Sequence, residues 1–145
     1  MNTVLNQELL PSSGDDDRAQ LRGTPWSVRL SRATLGRAAL EIYDGERVVD
    51  VVVPTALISA TLLGVLSGMQ ADGDPVTLAW GVFEAGQDAP PDVTFQRGRR
   101  WGNTSSKGAE VLIGRQFWLS VAEGRFATAT ATRSNGDIER RTVLR

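Results

Sequence analysis

Two glycine-containing dipeptides, Asp44-Gly45 and Asn135-Gly136, each lie between stretches rich in β-branched and alternating side chains, and this arrangement commits the chain to β-hairpins. The first sits in AALEIYDGERVVDVVV. Counting outward from a two-residue turn at Asp44-Gly45 pairs Ile42 with Arg47, Leu40 with Val49 and Ala38 with Val51. The second sits in Ser134-Asn135-Gly136-Asp137 and joins RFATATATR to DIERRTVLR. Upstream, Trp26, Val28 and Leu30 alternate with polar residues, the period of a half-buried strand. PVTLAWGVF, DVTFQR and EVLIGRQFWLSVAEG read as further strands, the last turning at Glu123-Gly124.

One segment reads differently. After Pro54, Thr55 suits a helix N-cap, and Leu57/Ile58, Leu62, Val65/Leu66 and Met69 recur at helical spacing, with Gly68 or Gly73 as the stop. The expected fold class is therefore α+β: a mainly antiparallel sheet, or partly closed barrel, of about seven or eight strands with one amphipathic helix after the third strand. The helix would pack Leu57, Ile58, Leu62, Val65 and Leu66 on Phe117, Leu119 and Val121. The pleat, counted from the turns at Glu123-Gly124 and Asn135-Gly136, sets Phe126 and Val143 on that same face. It sets Trp118, Ser120, Ala127, Ala129, Ala131, Arg140 and Thr142 on the other, as a shallow platform. Three strands, a helix, then more strands is an order similar to that of an OB-fold, and a strands-then-helix unit resembles Whirly-type single-strand binders. The resemblance is one of element order, without signature residues.

A length of 145 residues fits one domain. Residues 1–23 are polar, with Asp15-Asp16-Asp17 and Pro11, and read as a flexible N-terminal arm before a single domain over 24–145. Val4, Leu5, Leu9 and Leu10 could form a short amphipathic turn within that arm.

The chain has neither Cys nor His. That removes thiolate metal sites, disulfides, Cys nucleophiles, Ser-His-Asp triads and the commonest general base. Catalysis would fall to carboxylates, Tyr43, the single lysine Lys107 or arginines, so the expectation is a non-enzymatic protein with no metal and no cofactor. Gly102 to Gly108 is not a P-loop, because Gly follows Lys107 rather than preceding it. Thr104 to Lys107 has the spacing of an S-x-x-K nucleophile but carries Thr and lacks a supporting lysine. Asp72-Gly73-Asp74 and the Asp15 run lack the spacing of a calcium loop. No apolar run approaches the roughly 18 residues of a membrane helix, and the N-terminus lacks a secretory pattern, so a cytoplasmic location, in a cell or an infected host, is expected.

Charge divides unevenly. Residues 1–92 carry 13 acidic and 6 basic groups, net −7, whereas residues 93–145 carry 4 acidic and 10 basic groups, net +6. Within the basic part, Arg97, Arg99, Arg100 and Trp101 combine guanidiniums with an indole, the pairing that single-stranded nucleic acid uses for phosphate contact and base stacking. Lys107, Trp118 and Arg140 extend that candidate surface. The expected function is a binding module for single-stranded nucleic acid. The alternative is a self-assembling structural component, of a phage or particle, using the arm and the sheet face for subunit contacts; a homo-oligomer is expected in either case.

Overall fold

A computed structural model describes residues 18–32, 36–54, 61–83, 91–98, 105–113, 116–133 and 135–143; of the side chains of 107 and 109–113 only the backbone course is given. The described residues form twelve strands and no α-helix. They are β1 (Ala19–Gln20), β2 (Trp26–Arg32), β3 (Ala38–Asp44), β4 (Arg47–Val52), β5 (Leu62–Met69), β6 (Pro75–Val82), β7 (Asp92–Gln96), β8 (Ser105–Lys107), β9 (Ala109–Ile113), β10 (Phe117–Glu123), β11 (Thr128–Thr132) and β12 (Ile138–Thr142). They build three four-stranded antiparallel sheets, in the orders β1-β2-β3-β4, β5-β6-β10-β9 and β12-β11-β7-β8.

The middle sheet is covered on both faces. One apolar layer joins Val76, Leu78, Trp80 and Val82 of β6 and Phe117 and Leu119 of β10 to Trp26, Val28, Leu40 and Ile42 of the first sheet. The opposite layer joins Leu62, Val65, Ala79 and Trp118 of the middle sheet to Val93, Phe95, Phe126, Ala129 and Ala131. A strand buried on both sides cannot alternate apolar with polar, and β6, buried at nearly every position, reads as a continuous apolar run.

This two-sided burial overturns the expected α+β class. Leu62, Val65, Leu66 and Met69 lie on strand β5, where Leu62 and Val65 face one layer and Leu66 the other. Their i+3/i+4 spacing comes from apolar residues on both faces, with the register shifting between Leu62 and Gly64. Thr55, Leu57 and Ile58 lie outside the described residues. Gly64 and Gly68 would each weaken a helix interior by about 1 kcal/mol, but in the strand they make room for indoles. A Cβ on Gly64 would strike the Trp80 ring, and one on Gly68 would come within 2.7 Å of Trp26. Gly81 stands under Trp118 in the same way. All three indoles are essentially inaccessible to solvent. Trp80 Nε1 donates to Asp50 at 2.8 Å and Trp118 Nε1 to the Val82 carbonyl at 3.3 Å.

Both expected hairpins form with shifted registers, by three residues at Ile42 and Leu40 in the first and by one in the second. Asp44 pairs with Arg47, so the loop is Gly45-Glu46, and a bulge then sets Ile42 against Asp50 and Leu40 against Val52. Around Gly136 (φ 92°), Thr132 pairs with Ile138, Ala131 with Glu139 and Thr130 with Arg140. A one-residue slip exchanges the faces of a strand. Arg140 therefore shares a face with Thr130, and Glu139 instead stands with Ala129 and Ala131 on the covered side. The turn at Glu123-Gly124, by contrast, makes no hairpin: β10 stays in the middle sheet while β11 joins the third.

Two links tie the second and third sheets together. Only Gly108 separates β8 from β9, so the chain passes there from one sheet to the other, and a Cβ at that corner would strike Ser120 and Phe95. At the far edges, the Glu139 carboxylate accepts from the Thr61 amide at 2.8 Å and from Arg133, while Arg141 Nε donates to the Leu62 carbonyl at 2.8 Å.

Gly81→Ala should destabilise the fold by about 1–3 kcal/mol, because the added methyl meets the Trp118 ring and the Thr61 carbonyl. Gly98→Ala, where a Cβ meets nothing, should be near neutral. Urea denaturation of the pair checks this, and equal midpoints would reject the packing. Glu139→Ala should cost about 1–3 kcal/mol by leaving the buried Thr61 amide without its carboxylate acceptor and removing the Arg133–Glu139 pair. Urea titration reads that loss, and a shift below about half a kcal/mol would show that the staple contributes nothing.

Candidate functional site

Where β5 and β12 are no longer bridged, a cleft of about 1040 Å³ opens beside the second and third sheets. Ser67, Gly68 and Met69 from the end of β5 form one wall. Arg97 and Gly98 after β7, Arg125 to Ala127 between β10 and β11, and Thr142 and Val143 at the end of β12 form the rest. The backbone fixes these segments: the Ala127 amide donates to the Gln96 carbonyl at 2.9 Å, and the Val143 amide to the Ala127 carbonyl at 2.9 Å.

Phe126 anchors the site. It is buried in the layer beneath the third sheet, with its ring centroid 5.7 Å from that of Phe95. The Arg97 guanidinium lies over the Phe126 ring, 5.6 Å from its centroid. That stacking orders a long side chain that would otherwise lose entropy on meeting a ligand. Arg125 adds a second cation, and neither arginine is ion-paired among the described residues. Met69 is 54% exposed, and Ser67 Oγ is buried with no hydrogen-bond partner. Two unneutralised guanidiniums beside an apolar floor suit an anionic ligand that also offers flat or apolar surface.

The sequence-derived site residues separate. Arg97 lines the cleft. Arg99, Arg100 and Trp101 lie outside the described residues. Lys107 sits on β8, paired with Thr94. Arg140 is exposed on β12 but does not line the cleft. Trp118 corrects the expected platform: it is fully buried, together with Ser120, Ala129 and Ala131, because that side of β10 and β11 is an interior layer. Arg125 and Ser67 were not singled out from sequence, and Phe126 was expected in the core alone; the crossing between sheets at Gly124 brings Arg125 and Phe126 beside Arg97.

A second polar cluster among the described residues is held by its own contacts. On the outer face of the first sheet, Arg29 pairs with Glu41 at 2.8 Å, the Tyr43 hydroxyl donates to Glu41, and the Arg18 guanidinium lies 4.7 Å from the Tyr43 ring centroid. No group of three or more metal-ligating side chains occurs among the described residues. Asp72-Gly73-Asp74 is a turn, in which the Asp72 carboxylate accepts from the Asp74 amide at 3.0 Å and Gly73 has φ 92°. No described helix is long and apolar enough to cross a membrane.

The chain matches no protein-family profile, no curated protein and no solved structure.

The Glu41 cluster carries a pH signature. Burial pushes the Glu41 carboxyl up, but hydrogen bonds from Ser31, Tyr43 and Arg29, together with the Arg29 charge, outweigh it and hold the carboxyl below its ordinary value. Tyr43 is pushed up by its hydrogen bond to Glu41, by burial and by the Glu41 charge. A carboxyl lowered by folding adds stability above its unfolded value, and that stability is lost as pH falls through the folded one. A phenol raised by folding adds stability below its unfolded value, and that stability is lost as pH climbs through the folded one. Glu41→Gln should therefore flatten the melting-temperature profile below about pH 4 and above about pH 10. Parallel profiles for the variant and the parent would contradict this account.

Proposed function

We propose that the chain is a non-enzymatic binding module whose cleft takes single-stranded nucleic acid. The observation that carries this reading is Arg97, stacked on Phe126 and facing the same cleft as Arg125, which has no ion-pair partner among the described residues. Single strands ask for that combination, since phosphates need cations and unstacked bases need apolar or aromatic surface. The excess of basic groups over residues 93–145 supports it, as does the position of Arg99, Arg100 and Trp101 immediately after the cleft-lining Arg97 and Gly98. A cytoplasmic location, in a cell or an infected host, goes with this reading.

A second reading, self-assembly, draws support from β4. This strand is an edge of the first sheet and exposes Val48 (49%) and Val51 (52%), leaving both a backbone edge and apolar side chains for another copy. Light scattering of the purified chain distinguishes it, since a monomer at high concentration would remove it.

For the first reading, anisotropy of a fluorescent single-stranded oligonucleotide should show binding that weakens steeply with salt. Arg97→Ala and Arg125→Ala should each weaken binding and reduce the salt slope by about 0.7, one released counterion per lost phosphate contact. Trp101→Ala should cost about 1–3 kcal/mol with little change of slope, because stacking releases no counterion. Absence of binding at low salt, or arginine variants indistinguishable from the parent, would end the nucleic-acid reading.

A further inference from the structure

We infer that the cleft takes the phosphorylated end of a single strand, its terminal phosphate monoester held by Arg97, Arg125 and the hydroxyl of Ser67. The inference rests on the nucleic-acid reading above and narrows its ligand. Three observations carry it.

The first is the shape of the cleft. It lies at one end of the layer between the second and third sheets, and Phe126 floors it. Behind that ring the layer is filled by Phe95, Ala129 and Ala131, so the cleft is closed toward the interior. An internal phosphodiester carries a sugar on either side and has to lie across such a mouth. A terminal phosphate has one substituent and can point inward, leaving its nucleoside against the exposed Met69 at the rim.

The second is Ser67. The register of β5 is regular from Gly64 to Met69, so Ser67 and Met69 fall on the same side as Val65, toward the third sheet. Gly68, between them, faces Trp26 in the other layer. Ser67 Oγ is thus turned to the cleft side, where it is buried without a hydrogen-bond partner among the described residues. A buried donor left unmade costs free energy, and a ligand oxygen that accepts from it offsets that cost.

The third is charge. The Arg97 guanidinium lies against Gly124, the residue before Arg125: its Nη2 stands 3.6 Å from where a Cβ would project there. No acidic side chain is among the residues that line the cleft. A phosphate monoester carries about twice the charge of a diester at neutral pH and offers three terminal oxygens. Two guanidiniums and one hydroxyl match that charge and supply a donor for each oxygen.

Anisotropy of short oligo-dT, labelled with a fluorophore at one end and carrying either a phosphate or a free hydroxyl at the other, tests this on the full-length protein. Both label orientations are titrated, so that each end is presented in turn. At one end or the other, phosphorylation should tighten binding about tenfold. That ratio should grow as pH rises through about 6, where the monoester takes its second charge. The chain has no histidine, and the titratable side chains lining the cleft are the two arginines, so that step belongs to the ligand. Ser67→Ala, Arg97→Ala and Arg125→Ala should each lower the ratio. Ser67→Ala removes a hydroxyl that bonds nothing in the fold, so its urea midpoint should not fall. A lower midpoint, or a ratio that survives all three substitutions, would overturn the assignment. Equal binding of phosphorylated and unphosphorylated strands would overturn the inference and leave the nucleic-acid reading standing. Absence of binding by every oligonucleotide at low salt would end both.

Discussion

Indole rings laid over glycines shape both faces of the middle sheet: Trp80 and Trp118 lie over cross-strand neighbours within it, and Trp26 reaches it from the first sheet. Trp80 lies over Gly64, Trp118 over Gly81 and Trp26 over Gly68, and a methyl group at any of these positions would displace the ring above it. A large flat side chain opposite a missing one allows close approach at native packing density and buries the largest apolar area available to one residue. Because these contacts occur on both sides of β5-β6-β10-β9, the middle sheet becomes the common floor of two apolar layers. The outer sheets then take their positions from it.

The cleft follows from how the second and third sheets are joined. They share a corner at Gly108 and are stapled across their free edges by Glu139 and Arg141, both acting on Thr61 and Leu62. Those bonds hold only one end of β5. Toward Ser67 and Met69 no such bond draws β12 in among the described residues, and the segment after β7 and the crossing between β10 and β11 supply Arg97 and Arg125 there. A concave, cationic site is thus what remains where the staple stops.

The strand content, both hairpins and the basic character of the region after residue 92 were legible in the sequence, because turn residues and local alternation are short-range signals. Leu62 to Met69 was misread as helix for a physical reason. Burial of both strand faces erases the period of two, and the remaining apolar positions imitate a period of 3.6. Gly64 and Gly68 were the contrary signal, but their purpose depends on indoles that only the fold brings near. The burial of Trp118 was hidden by the same cause, since an interior face lined with Ala and Ser reads like a surface. Arg140 and Glu139 exchanged faces because the loop at Gly136 is longer than two residues, a difference of backbone geometry within a common turn sequence. Of the candidate site, Arg97 could be picked out locally; its partners Arg125 and Phe126 come from a different connection.

The strand order also bears on how the chain reaches this state. Within the middle sheet β10 is wedged between β6 and β9, and it pairs with β6 along its whole length from Phe117 to Glu123. The β5-β6 hairpin can form early, since its pairing is local, yet one of its flanks waits for a strand made some forty residues later. During synthesis that hairpin emerges with two apolar faces and an open backbone edge. The ribosome therefore releases, for an interval, an apolar strand pair with an open edge before the segment that covers it exists.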